Sequence, residues 1–175
     1  MMLQVLQQLS ELRTKWACEI VPGLFLGSGA HAANLTDIQH HGVTRIPNVA
    51  DDVENFHESC TGIVYENLGV CDFNQDIGIC RVFPKAFAFL RKAENEGQPV
   101  LVHCAAGANR SATIVIAWLM FSNAMTLLDA WEMVKRVKRG VCPMIDNRKQ
   151  LLDFERQLYH GISSFSSDED FLTRR

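Results

Sequence analysis

Leucines at positions 3, 6, 9 and 12 recur at intervals of three. That spacing predicts an amphipathic helix over residues 2–16. Such a helix packs on its own domain or contacts a partner or a second copy; packing on the domain is the simpler reading. Beyond it the apolar positions gather into short runs. Glu19-Ile-Val-Pro-Gly-Leu-Phe-Leu-Gly-Ser reads as two strands around a Pro-Gly turn, and Asn34 or Thr36 is placed to cap a short helix that runs to His40 and stops at Gly42. Val43-Thr-Arg-Ile-Pro-Asn-Val-Ala predicts a strand even though Pro47 lacks a ladder N–H, which favours an edge, a strand start or a bulge. Residues 63–68 predict an interior strand, 81–96 a helix and 99–103 a short buried strand.

From Ser111 to Ser122 nearly every residue is apolar, as in a helix buried on all sides, whereas 127–139 and 146–159 carry one apolar stripe each. Strands alternating with helices predict an α/β fold with a central, mostly parallel, twisted sheet flanked by helices. The organisation expected is an N-terminal helical extension over 1–16, one domain over 17–161, and a serine-rich, acidic tail over 162–175 with the composition of a disordered segment.

Length and composition agree with one core: 175 residues, 47% hydrophobic. The net charge of −3, with basic residues spread along the chain, creates no field that favours nucleic acid or an anionic membrane surface. The basic run Lys135, Arg136, Lys138 and Arg139 reads as a solvated face. No window approaches the roughly 20 apolar residues of a membrane span. Six cysteines at 18, 60, 71, 80, 104 and 142 form no CxxC pair, so neither a disulfide framework nor a zinc site is expected. The histidines at 31, 40, 41 and 57 lack metal-ligand spacing, and no metal or cofactor is expected. The first residues lack the basic start and long apolar run of a signal peptide, and the expected location is the cytoplasm or the nucleus.

The chemistry is concentrated in Val100-Leu-Val-His-Cys-Ala-Ala-Gly-Ala-Asn-Arg-Ser, an apolar strand that runs through a loop of small residues into the buried helix. Successive N–H groups of Ala105, Ala106, Gly107, Ala108 and Asn109 can converge on an anion, helped by the partial positive charge of the helix N-terminus. Small side chains leave room for a phosphate, and Gly107 can take a positive φ. The same field favours the Cys104 thiolate, a strong nucleophile. Arg110 offers a planar fork of donors for two equatorial phosphate oxygens. Ser111 is placed to hydrogen-bond Cys104 when it becomes a leaving group. His103 is expected to point away from substrate and support the loop through a hydrogen bond.

His-Cys-Ala-Ala-Gly-Ala-Asn-Arg-Ser resembles the His-Cys, five residues, Arg-Ser/Thr signature of cysteine-based protein phosphatases. Val-Pro-Gly-Leu-Phe-Leu-Gly-Ser, Gly-Val-Thr-Arg-Ile-Pro-Asn-Val-Ala and Ile-Ala-Trp-Leu-Met are similar, in family order, to stretches of the compact dual-specificity phosphatase domain. The resemblance spans about residues 17–160. It implies a small, atypical member in which Cys104 attacks phosphorus, an aspartic acid protonates the leaving oxygen, and water hydrolyses the cysteinyl phosphate without metal. Asp72 matches the position of that acid; Asp76 is the other candidate in Gly69-Val-Cys-Asp-Phe-Asn-Gln-Asp. The implied substrate is a phosphoprotein bearing phosphotyrosine, phosphoserine or phosphothreonine.

Two positions depart from the family pattern. Pro47 replaces a strand-forming residue, and Met144 falls where a loop-bracing asparagine is usual, with Asn147 nearby as a substitute. The loop has no lysine for a highly anionic lipid headgroup. Competing readings are a phosphate-binding module that does not turn over, an enzyme of sulfur transfer or arsenate reduction, and a phosphatase of RNA, nucleotide, phosphoinositide or carbohydrate.

Overall fold

The computed structural model describes residues 16–60, 62–72 and 78–174. The helix expected over 2–16, apart from Trp16, and the second acid candidate Asp76 lie outside these residues. Strands β1 (Cys18–Val21), β2 (Leu24–Ser28), β3 (Arg45–Ala50), β4 (Val64–Val70) and β5 (Val100–Cys104) form one sheet in the order β1-β2-β5-β3-β4. Only the β1–β2 pair is antiparallel; Gly23, at φ 79°, closes the Pro-Gly turn between them. The mostly parallel sheet is the one expected.

Side chains alternate across β5. Val100, Val102 and Cys104 join a large cluster on one face, and Leu101 joins a smaller one on the other. The small cluster includes Ala32 of α1 (Gly29–Ala33) and Ile38 of α2 (Leu35–His40). Asn34 separates these helices and caps α2 by accepting from the Asp37 N–H at 3.2 Å, so α2 is the helix expected to run to His40, and α1 is an additional turn of helix before it. The large cluster is built by α3 (Phe83–Asn95), which follows a 3₁₀ turn at Ile79–Val82, with α4 (Arg110–Asn123), α5 (Leu127–Val137) and α6 (Ile145–Leu158). Every residue of α4 from Arg110 to Met120 is buried, which explains its lack of a polar stripe.

Two expectations are corrected and one is narrowed. Of the places open to Pro47, the structure leaves the irregular one: β3 is central. Its ladder to β5 has register partners only at Arg45↔Val100 and Asn48↔His103, with Pro47 in the interruption, and its ladder to β4, where Pro47 faces Glu66, shifts register between Asn48 and Ala50. Conversely, the strand expected to be interior is β4, an edge, and from Asn67 to Val70 its exposure alternates as a half-solvated strand requires.

The tail is not a disordered segment. Helix α7 (Asp168–Thr173) seats Phe171 fully inside, against Trp131 with ring centroids 5.1 Å apart and Phe165 at 4.6 Å. The buried Arg148 donates from Nη1 to the carbonyls of Phe171, Leu172 and Arg174 at 3.0, 3.2 and 2.6 Å. Glu155, also buried, accepts from the Ser164 N–H at 3.0 Å. Two aromatic side chains worth roughly 1.5–3 kcal/mol each on burial and matched charged partners outweigh a polar average composition.

Candidate active site

Parallel strands bring their C-terminal ends to one edge of the sheet, where crevices form. Cys104 ends β5, the loop turns at Gly107, and Arg110 opens α4. Gly107 has φ +70°, and a Cβ there would lie 2.3 Å from the Gly27 carbonyl oxygen of β2. Both the left-handed conformation and the close approach require glycine. The Gly29 N–H donates to the Ala105 carbonyl at 3.0 Å, tying the other shoulder of the loop to α1. Ala105 and Ala106 are exposed; Ala108 and Asn109 are half-buried.

Cys104 is 2% exposed. Its Sγ accepts from the Gly107 N–H at 3.3 Å and lies 3.2 Å from Ser111 Oγ. A backbone donor from the middle of the loop and a hydroxyl from the first turn of α4 therefore converge on the sulfur. His103 faces the other side of the sheet. Among the described residues its ring nitrogens find no hydrogen bond of good geometry, and the support expected for the loop is reduced to a weak interaction with the Cys104 backbone. Burial presses its pKa down to about 4, opposed in part by the Cys104 backbone, and the ring is neutral at physiological pH.

Arg110 is 1% exposed. Its Nη1 donates to Asp52 Oδ1 at 2.7 Å and to the Val70 carbonyl at 2.9 Å, with Asp51 Oδ1 at 3.5 Å. Among the described residues Nε and Nη2 make no hydrogen bond, although Asp72 Oδ2 is 3.3 Å from Nη2. One corner of the guanidinium is thus anchored while the edge that can grip two oxygens is left open. Burial pulls its pKa down, but the Asp52 hydrogen bond and the charges of Asp72, Cys104 and Asp52 outweigh it and hold it above the usual value. In return the Arg110 hydrogen bond lowers the pKa of Asp52.

Asp72, just past β4, accepts from Asn109 Nδ2 at 2.9 Å. Asn109 Oδ1 accepts from the Met144 N–H and from Asn147 Nδ2, both at 2.8 Å. The Cys142 N–H donates to the Ala108 carbonyl, also at 2.8 Å. Asn147 thus joins the loop network from the first turn of α6, although Met144 occupies the usual asparagine position. Cys104, Arg110, Asp72 and Ser111 come together at one end of the sheet. Sequence reasoning missed Asp51, Asp52 and Gly27. An acidic pair directly after a strand that ends at the same sheet edge was the available signal for the first two.

The family model for the dual specificity phosphatase catalytic domain matches residues 24–157, and the chain belongs to that family. It is 38% identical over 148 residues to human dual specificity protein phosphatase 9, and 34% identical over 157 residues to human dual specificity protein phosphatase 6. These matches cover 84% and 89% of this chain but 38% and 40% of the relatives, so the chain spans about two-fifths of their length. Among solved structures, human DUSP28 superposes with a TM-score of 0.75 at 26% identity, covering 82% of this chain and 98% of that one. A human tyrosine phosphatase-like serine/threonine/tyrosine-interacting protein superposes at 0.73 and 31%, covering 83% and 98%. Among the described residues no helix is long and apolar enough to cross a membrane, and no cluster of three or more His, Cys, Asp or Glu is arranged to hold a metal.

Proposed function

We propose that this chain hydrolyses phosphotyrosine and phosphoserine or phosphothreonine in proteins through a cysteinyl phosphate on Cys104. The observation that carries the reading is the convergence of the Gly107 N–H and Ser111 hydroxyl on the Cys104 sulfur, beside a buried Arg110 whose Nε/Nη2 edge has no hydrogen-bond partner among the described residues. The N–H groups of Ala105, Ala106, Gly107, Ala108 and Asn109 cradle the phosphate and Arg110 clamps two of its oxygens. The Cys104 thiolate attacks phosphorus, the ester P–O bond breaks, and the leaving oxygen takes a proton from Asp72. Water then attacks phosphorus and gives its proton to the Asp72 carboxylate. The S–P bond breaks, phosphate leaves, and Ser111 donates to the returning thiolate. The reaction, as proposed, needs no metal or cofactor. A cytoplasmic or nuclear phosphoprotein is the fitting substrate, and the loop's lack of lysine disfavours a phosphoinositide.

A second reading is a phosphate-binding module without turnover. It draws support from the likeness to the phosphatase-like interacting protein and from three carboxylates already facing Arg110. Hydrolysis of an aryl phosphate without added metal separates the two. Cys104→Ser should abolish turnover, Arg110→Lys should raise KM and lower kcat, and Asp72→Asn should cost about 10²–10⁴ in kcat. A folded wild type that binds phosphopeptide but turns over none establishes the second reading.

A further inference from the structure

We propose that Asn109 is a positioning residue whose carboxamide holds Asp72 at the reacting ester; this rests on the phosphatase reading above. The orientation of the carboxamide is fixed by its surroundings. The backbone N–H of Met144 is a donor without alternative, so the atom it meets at 2.8 Å is the amide oxygen. The NH2 group then faces Asp72 Oδ1 at 2.9 Å, and Asn147 Nδ2 supplies the second donor to the oxygen at 2.8 Å. All three partners lie 35 to 38 residues away along the chain. One side chain therefore connects the segment before α6, the first turn of α6 and the acid after β4.

Asn109 occupies the N-cap position of α4 yet makes no side-chain cap bond to that helix. Asparagine is among the residues best suited to such a cap. Here its polar atoms are turned to the acid and its supports, a local preference overridden where a site is assembled. Asp72 is held on its other oxygen by Arg110 Nη2 at 3.3 Å. When that edge of the guanidinium turns to a phosphate, the Arg110 contact is given up and Asn109 is the link that remains. Its donor steers one carboxyl oxygen and leaves the other free to hold the proton that passes to the leaving oxygen.

The test compares two esters. 2,4-Dinitrophenyl phosphate releases an anion that needs no proton, whereas phenyl phosphate depends on the acid. Asn109→Leu should lower kcat on phenyl phosphate by about tenfold more than on the dinitrophenyl ester, a part of the roughly 10²–10⁴ that a general acid contributes. Asp72→Asn should show the same discrimination more strongly, and the double variant should add none to it, since both changes disable one function. Rescue by Asn109→Gln should be partial. Equal loss on both esters, or additive discrimination in the double variant, overturns the positioning role. If Asn109→Leu fails to fold, Asn147→Ala removes one support and should discriminate about fivefold, as expected for one hydrogen bond; equal effects there also overturn it. A folded wild type inert toward both esters overturns the phosphatase reading itself, and the positioning role falls with it.

Discussion

The loop at 105–109 and the tail at 162–174 are both runs of small or polar residues, and they fold for opposite reasons. The loop has both ends fixed by its own chain neighbours, a strand before it and a helix after it, and only then meets remote partners, its glycine at φ +70° seated against Gly27 and its Ala108 carbonyl accepting from Cys142. The tail takes its shape from residues far away in sequence, namely Trp131, Arg148 and Glu155. Local composition is informative where the chain neighbours supply the constraint, and misleading where remote partners do.

The largest effect should come from Gly107→Ala. A left-handed alanine costs about 1–2 kcal/mol and overpacking about 1–3 kcal/mol more. The methyl would push β2 and the loop apart, and turnover should fall by at least ~10²-fold as the phosphate cradle is misplaced. An unchanged rate would show that the loop tolerates a shift its packing forbids.

Phe171→Ala tests the opposite side of the comparison. Loss of the ring from between Trp131 and Phe165 should cost about 3 kcal/mol, read as a lowered urea midpoint. The folded fraction should keep its turnover to within about threefold, because the Phe171 ring packs on Trp131 and Phe165. Stability equal to wild type would restore the view of the tail as an appended, unstructured segment.

The effect of His103 on stability is the smallest of the three at neutral pH, where it is absent, and it grows only as the pH falls. The unfolded chain takes a proton on this ring near pH 6.5, while the folded chain refuses it down to about 4. Through that window the unfolded state binds more protons, so stability falls as pH drops from 6.5 towards 4, by about 3 kcal/mol at the lower end. His103→Phe should remove that part of the slope in denaturant titrations. A slope the same in both proteins would mean that other groups carry it.

Much of the site was legible because its chemistry is contiguous. Cys104, Arg110 and Ser111 sit within eight residues of one another on a strand-loop-helix unit, and spacing alone places them together. Asp72 required the resemblance to a known family, since nothing in its own neighbourhood distinguishes it from Asp76. Asp52 and Asp51 were not read at all, because their importance comes from β3 and β5 being adjacent and parallel. The loop-supporting bond assigned to His103 is weak for a related reason. Strand alternation sends the ring to the face opposite Cys104, as expected, but the small cluster there is apolar, and among the described residues the ring finds no hydrogen bond of good geometry. Pro47 shows the converse, a residue that argues against a central strand yet is accommodated by an interrupted ladder.

By itself the sequence determined the α/β alternation, the helix buried on all sides, and a Cys104–Arg110 loop suited to a phosphate, because periodicity and spacing act over a few residues. The tertiary structure alone decided strand order, the folding of the tail, and the placement of Asn109 between Asp72, Met144 and Asn147. Those depend on contacts between residues tens of positions apart, whose geometry exists only once the sheet has assembled and its C-terminal edge has brought the segments together.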